Sequence, residues 1–150
     1  MSNIIIGTAG HIDHGKTALI RALNGFEGDS TNEEKQRGIT IDLSFSNLTR
    51  AERNIAFIDV PGHEKLIKNM IAGAFGFDYV MLVVSAKESL MPQTIEHIEI
   101  LSLLGIKNLI LVITKKDLVD EKTLKEQEDK IVEFLNEFEF YSTEFKTKLK

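Results

Sequence analysis

The sequence contains no cysteine. That excludes a disulfide scaffold, a thiol nucleophile and any cysteine-ligated metal. It also lacks an excess of positive charge: 18 Lys and Arg stand against 23 Asp and Glu, for a net charge of −5. A protein that coats nucleic acid without selectivity is usually basic, so only a local RNA contact is open to this chain. No apolar run approaches the ~18 residues of a transmembrane span. The opening MSNIIIGTAG has no basic region and only a three-isoleucine run, so no signal peptide and no membrane association are expected. Repeats and low-complexity tracts are also missing. Together these absences predict a soluble, cytoplasmic protein.

What is present is a globular composition, 43% hydrophobic and 27% charged, which argues against disorder. A length of 150 residues predicts one domain with a core of its own. Residues 3–7 hold Ile4, Ile5 and Ile6 in succession, the pattern of a strand buried on both faces. Residues 54–59, 79–85 and 109–114 are further strands, and residues 39–48 alternate apolar and polar with period two. Helices are expected over residues 16–24, 63–74, 92–104 and 121–138, with Pro92 in a first turn and Gly105 at a C-terminus. Residues 26–38 are polar and charged, as in an exposed loop. Strands alternating with helices predict an α/β fold, a mostly parallel sheet with helices on both faces.

The densest chemistry follows the first strand. Residues 10–17, GHIDHGKT, match G-x-x-x-x-G-K-[ST] between a strand and a helix, the setting this phosphate-binding motif requires. Gly10 and Gly15 allow backbone N–H groups to converge on phosphate oxygens, and the helix start adds its own free N–H groups. Lys16 supplies a charge for the β and γ phosphates, and Thr17 a hydroxyl for Mg²⁺. Asp59, Pro61 and Gly62 close another strand, where an acid can hold the water shell of Mg²⁺ and a glycine N–H can reach the γ-phosphate. Thr40 either completes the metal shell or is an ordinary strand threonine. After a third strand come Thr114, Lys115 and Asp117. There a carboxylate can accept from guanine N1–H and the 2-amino group, and a lysine stem can lie on the base; a plain charged loop is the alternative. His63 either orients a water at the γ-phosphate or is a polar residue at a helix start. A zinc site built from histidines alone is not expected.

These residues in combination resemble the translational GTPases. The carriers are GHIDHGKT at 10–17, RGITI at 37–41, DVPGH at 59–63 and TKKD at 114–117. Within the family the chain looks most like the subgroup of selenocysteine-specific elongation factors, through EEKQRGITIDL at 33–43, DVPGHEKLIKNM at 59–70 and MPQTIEHIEIL at 91–101. Only 22 residues separate Thr17 from Thr40, shorter than in elongation factor Tu.

The resemblance implies a P-loop NTPase fold that binds GTP or GDP and hydrolyses GTP slowly until the ribosome activates it. It implies Mg²⁺ held by Thr17 and Thr40, with Asp59 acting through water. His11, Ile12, Asp13, His14, Gly15, Lys16, Thr17 and Ala18 would form the nucleotide cradle. Gly62 would approach the γ-phosphate, and Thr114, Lys115 and Asp117 the base. His63 would position the attacking water, with Ile12 and Ile39 holding it back beforehand. Partners would be the ribosome and selenocysteinyl-tRNA, with a specific mRNA element recognised by later domains. Another translational GTPase, the GTPase subunit of a sulfate adenylyltransferase, or a nucleotide-binding module with negligible hydrolysis are the alternatives.

Two departures stand out. Thr114 replaces the usual asparagine, which predicts fewer contacts to the base and the phosphate loop. Residues 139–150 show neither the expected last strand nor the serine-alanine motif that follows it. Residues 1–150 are therefore expected to be a GTP-binding domain that is incomplete at its C-terminus, with an open sheet edge and weakened nucleotide binding. Five of the eleven aromatics lie between Phe134 and Phe145, either as a helix end packed on the sheet or as a partner surface.

Overall fold

The computed structural model describes residues 2–11, 14–24, 44–50, 52–59 and 76–146. Six strands form one sheet: β1 (Ser2–Ala9), β2 (Ser44–Arg50), β3 (Arg53–Asp59), β4 (Tyr79–Ser85), β5 (Asn108–Thr114) and β6 (Tyr141–Lys146). Their order across the sheet is β2-β3-β1-β4-β5-β6. Only β2 runs antiparallel, paired with β3 through Ser44↔Asp59 to Arg50↔Arg53. The helices among the described residues are α1 (Lys16–Asn24), α2 (Pro92–Leu103) and α3 (Glu121–Leu135).

The continuous apolar strands are explained by burial on two sides. In β4, Val80, Leu82 and Val84 face a core closed by Ile98 and Leu101 of α2 and by Ile131 and Leu135 of α3. The alternate residues Met81 and Val83 face a second core with Leu19 and Ile20 of α1. Helices therefore cover both faces of a mostly parallel sheet, as the alternation of elements predicts. Local chemistry sets the helix limits. Pro92 opens α2. The Asp120 carboxylate accepts the Thr123 N–H at 2.6 Å and so caps α3, which also holds that carboxyl below its usual range.

One expectation is corrected. The last strand is present: β6 pairs in parallel with β5 from Asn108↔Tyr141 to Ile113↔Lys146, so β5 is not the edge of the sheet. Its sequence, YSTEFK, has only two apolar residues, Tyr141 and Phe145, and no continuous apolar run, so it carries no strand pattern of either kind. The aromatic segment before it packs inward. Phe134, Phe138 and Phe140 lie against the α2–α3 core, with ring centroids 5.5 and 5.8 Å apart along the series. The helix expected over 63–74, the loop over 26–38 and residues 147–150 lie outside the described residues. Among the described residues no helix is long and apolar enough to cross a membrane.

Candidate functional site

Because β1, β3, β4 and β5 are parallel, their last residues, Ala9, Asp59, Ser85 and Thr114, arrive together at the carboxyl ends of the strands. In open α/β sheets that is where ligands bind. The chain leaves β1 at Gly10, whose φ of +139° suits glycine alone. A Cβ there would sit 2.2 Å from the carbonyl oxygen of Val83, so the loop runs directly over β4. Gly15, at φ +96°, makes the last turn before α1.

Lys16 is the first residue of α1, yet it is only 7% exposed. Its ammonium reaches back across the loop and donates to the carbonyls of Gly10 and His11, both at 3.1 Å. Thr17 and Ala18 follow in the first turn, half-buried. A buried ammonium turned toward the loop, beside the positive dipole end of a helix, is a donor set suited to phosphate oxygens.

His14 ties the loop to two other strands. Its ring is fully buried, and Nδ1 accepts the Ser85 N–H at 3.2 Å. A backbone N–H can only donate, so the ring proton sits on Nε2, which donates to the Glu88 carboxylate at 2.6 Å. Burial outweighs the attraction of Glu88 and pushes the His14 pKa down to about 4. The ring is therefore neutral near pH 7. The carbonyl of His14 accepts the Thr114 hydroxyl at 2.7 Å. Threonine in place of asparagine thus still reaches the phosphate loop through one hydrogen bond.

The TKKD turn follows. Lys115 adopts the left-handed conformation, φ 56°, and opens a short 3₁₀ turn, Lys116–Leu118. Lys115 is half-buried and Asp117 is exposed. Asp59 ends β3 at the same carboxyl end of the sheet as Thr114. Ile12, Asp13, Ile39, Thr40, Gly62 and His63 lie outside the described residues.

Sequence reasoning overlooked His97. It lies in α2 with Thr94, Ile98 and Leu101, all buried. Its Nδ1 accepts the N–H of Gly10 at 3.1 Å. Burial first, then the charges of Lys16 and His11, lower its pKa to about 3. The available signal is the buried stripe at i, i+3, i+4 and i+7, where a histidine and a threonine occupy positions that normally carry apolar side chains.

A glycine-framed loop between a buried parallel strand and a helix, with a lysine folded over it, defines an α/β phosphate-loop domain. The chain belongs to the family described as the elongation factor Tu GTP binding domain, which matches residues 1–148. It is 51% identical over 133 residues to the selenocysteine-specific elongation factor of Desulfomicrobium baculatum, covering 88% of this chain and 21% of that one. Among solved structures it is similar to the bacterial selenocysteine-specific elongation factor EF-Sec. The TM-score there is 0.94 at 42% identity, covering 99% of this chain and 26% of that one. It is also similar to translation elongation factor SelB from Methanococcus maripaludis in complex with the GTP analogue GppNHp. There the TM-score is 0.81 at 32% identity, covering 97% of this chain and 30% of that one. The chain spans about a fifth of the length of the curated selenocysteine-specific elongation factors it matches.

Proposed function

We propose that this chain is the GTP-binding, GTP-hydrolysing domain of a cytoplasmic elongation factor that delivers selenocysteinyl-tRNA to the ribosome. The observation that carries the proposal is the loop after β1, where Lys16 is buried and turned toward the carbonyls of Gly10 and His11. The 51% identity to a selenocysteine-specific elongation factor supports the choice of tRNA. Recognition of a specific mRNA element belongs to later domains.

In this proposal the chain's residues divide the work. Backbone N–H groups from His11 to Ala18, Asp13 and His14 among them, bind the phosphates together with Lys16, and Gly62 approaches the γ-phosphate. Thr17 and Thr40 would hold Mg²⁺, with Asp59 acting through water, and the ion supplies neutralisation of charge on the β and γ phosphates. Lys115 covers the base and Asp117 selects guanine, while Thr114 holds the phosphate loop at His14. His63 orients the attacking water, so catalysis is positioning together with charge stabilisation. A parallel titration with GDP and ADP tests the assignment. GDP is expected to bind at least ~100-fold more tightly, since adenine leaves the Asp117 acceptors unpaired. Equal affinities would remove guanine selection from the proposal.

A further inference from the structure

We propose that His97 is a positioning residue of the phosphate loop, its Nδ1 holding the Gly10 N–H and so fixing the turn over which Lys16 closes. The proposal rests on the nucleotide-binding function above. Gly10 is buried, and its φ of +139° takes it out of the ladder of β1. Its N–H therefore needs an acceptor inside the protein. Helix α2 supplies one in His97, which is fully buried, at 3.1 Å. On its other side, the Gly10 carbonyl accepts from the Lys16 ammonium at 3.1 Å. Gly10 is thus gripped on both sides, by a ring from α2 and by the lysine intended for phosphate.

The ring is suited to this work because it is neutral. A protonated imidazole carries hydrogen on both nitrogens and cannot accept the Gly10 N–H. Burial and the nearby Lys16 charge keep the proton off. An apolar side chain of similar size would fill the space and leave the N–H without a partner.

The test compares three forms of the chain by GDP titration, together with the ¹⁵N–¹⁵N coupling across the Gly10–His97 hydrogen bond in the unsubstituted, nucleotide-free protein. The coupling is expected to be present. His97→Leu is expected to weaken GDP binding by about tenfold or more, the consequence of a buried donor left unpaired. His97→Asn offers an amide oxygen near the Nδ1 position, and is expected to bind within about threefold of the unsubstituted chain. Apolar packing alone predicts the reverse order, because leucine fits a core better than asparagine. Binding by His97→Leu as tight as that of His97→Asn would overturn the proposal. So would an absent coupling, which decides the matter even where His97→Leu does not fold. Failure of the unsubstituted chain to bind GDP would overturn the nucleotide-binding function instead, and the coupling would still judge the hold of His97 on the loop.

Discussion

The two ends of the proposed site, one for phosphate and one for the base, are built differently. At the phosphate end, His14 and His97 are fully buried, Lys16 is 7% exposed, and each is hydrogen-bonded to backbone. At the base end, half-buried Lys115 and exposed Asp117 belong to a short turn. Thr114 joins the two, closing β5 and donating to the His14 carbonyl. The phosphate end is thus part of the core, where binding geometry and fold stability are one property. The base end sits outside the core, where specificity can change with little effect on the fold.

Acid should expose the contrast most strongly. Both buried rings are neutral in the fold, whereas the unfolded chain takes up protons near pH 6.5. Their stabilisation is complete above that pH. It is lost as pH falls toward about 4 for His14 and about 3 for His97. By pH 4.5 the loss should be on the order of 2 kcal/mol for each ring. Urea unfolding at pH 7 and pH 4.5 measures it, and a His14→Gln/His97→Asn double variant should show a flatter dependence. Equal slopes would break the claim that this end is coupled to the core.

Gly10→Ala comes next. The added Cβ meets the Val83 carbonyl and forces alanine to a positive φ. Roughly 3 kcal/mol of stability should be lost, read as a lower urea midpoint with an unchanged slope. Asp117→Asn sharpens the comparison from the other side. Its stability should stay within about 0.5 kcal/mol of the unsubstituted chain, as for an exposed position. Its preference for GDP over ADP should disappear. A marked fall in melting temperature would show that the base end, too, is tied to the core.

Most of this architecture could be read from residue order, and the exceptions have physical causes. Strands β1, β4 and β5 stand out because burial on both faces demands unbroken apolar runs such as Val80–Val84. β6 is not legible because YSTEFK has only two apolar residues, Tyr141 and Phe145, and no unbroken run. GHIDHGKT carries its chemistry in adjacent residues and was plain from spacing. His97 was not, since it meets Gly10 across 87 positions of chain, and only folding brings the two together. Thr114 is legible as the first residue of its motif. That its hydroxyl would still reach the loop depended on how closely β5 and the loop approach each other.

Lys115 carries a consequence of its own. A non-glycine residue at φ 56° gives up on the order of 1 kcal/mol that glycine there would keep. A sequence selected for durability alone would place glycine before Lys116. The turn that presents Asp117 is therefore one of three places among the described residues, with Glu52 and Ser89, where the backbone is held at a cost to the fold.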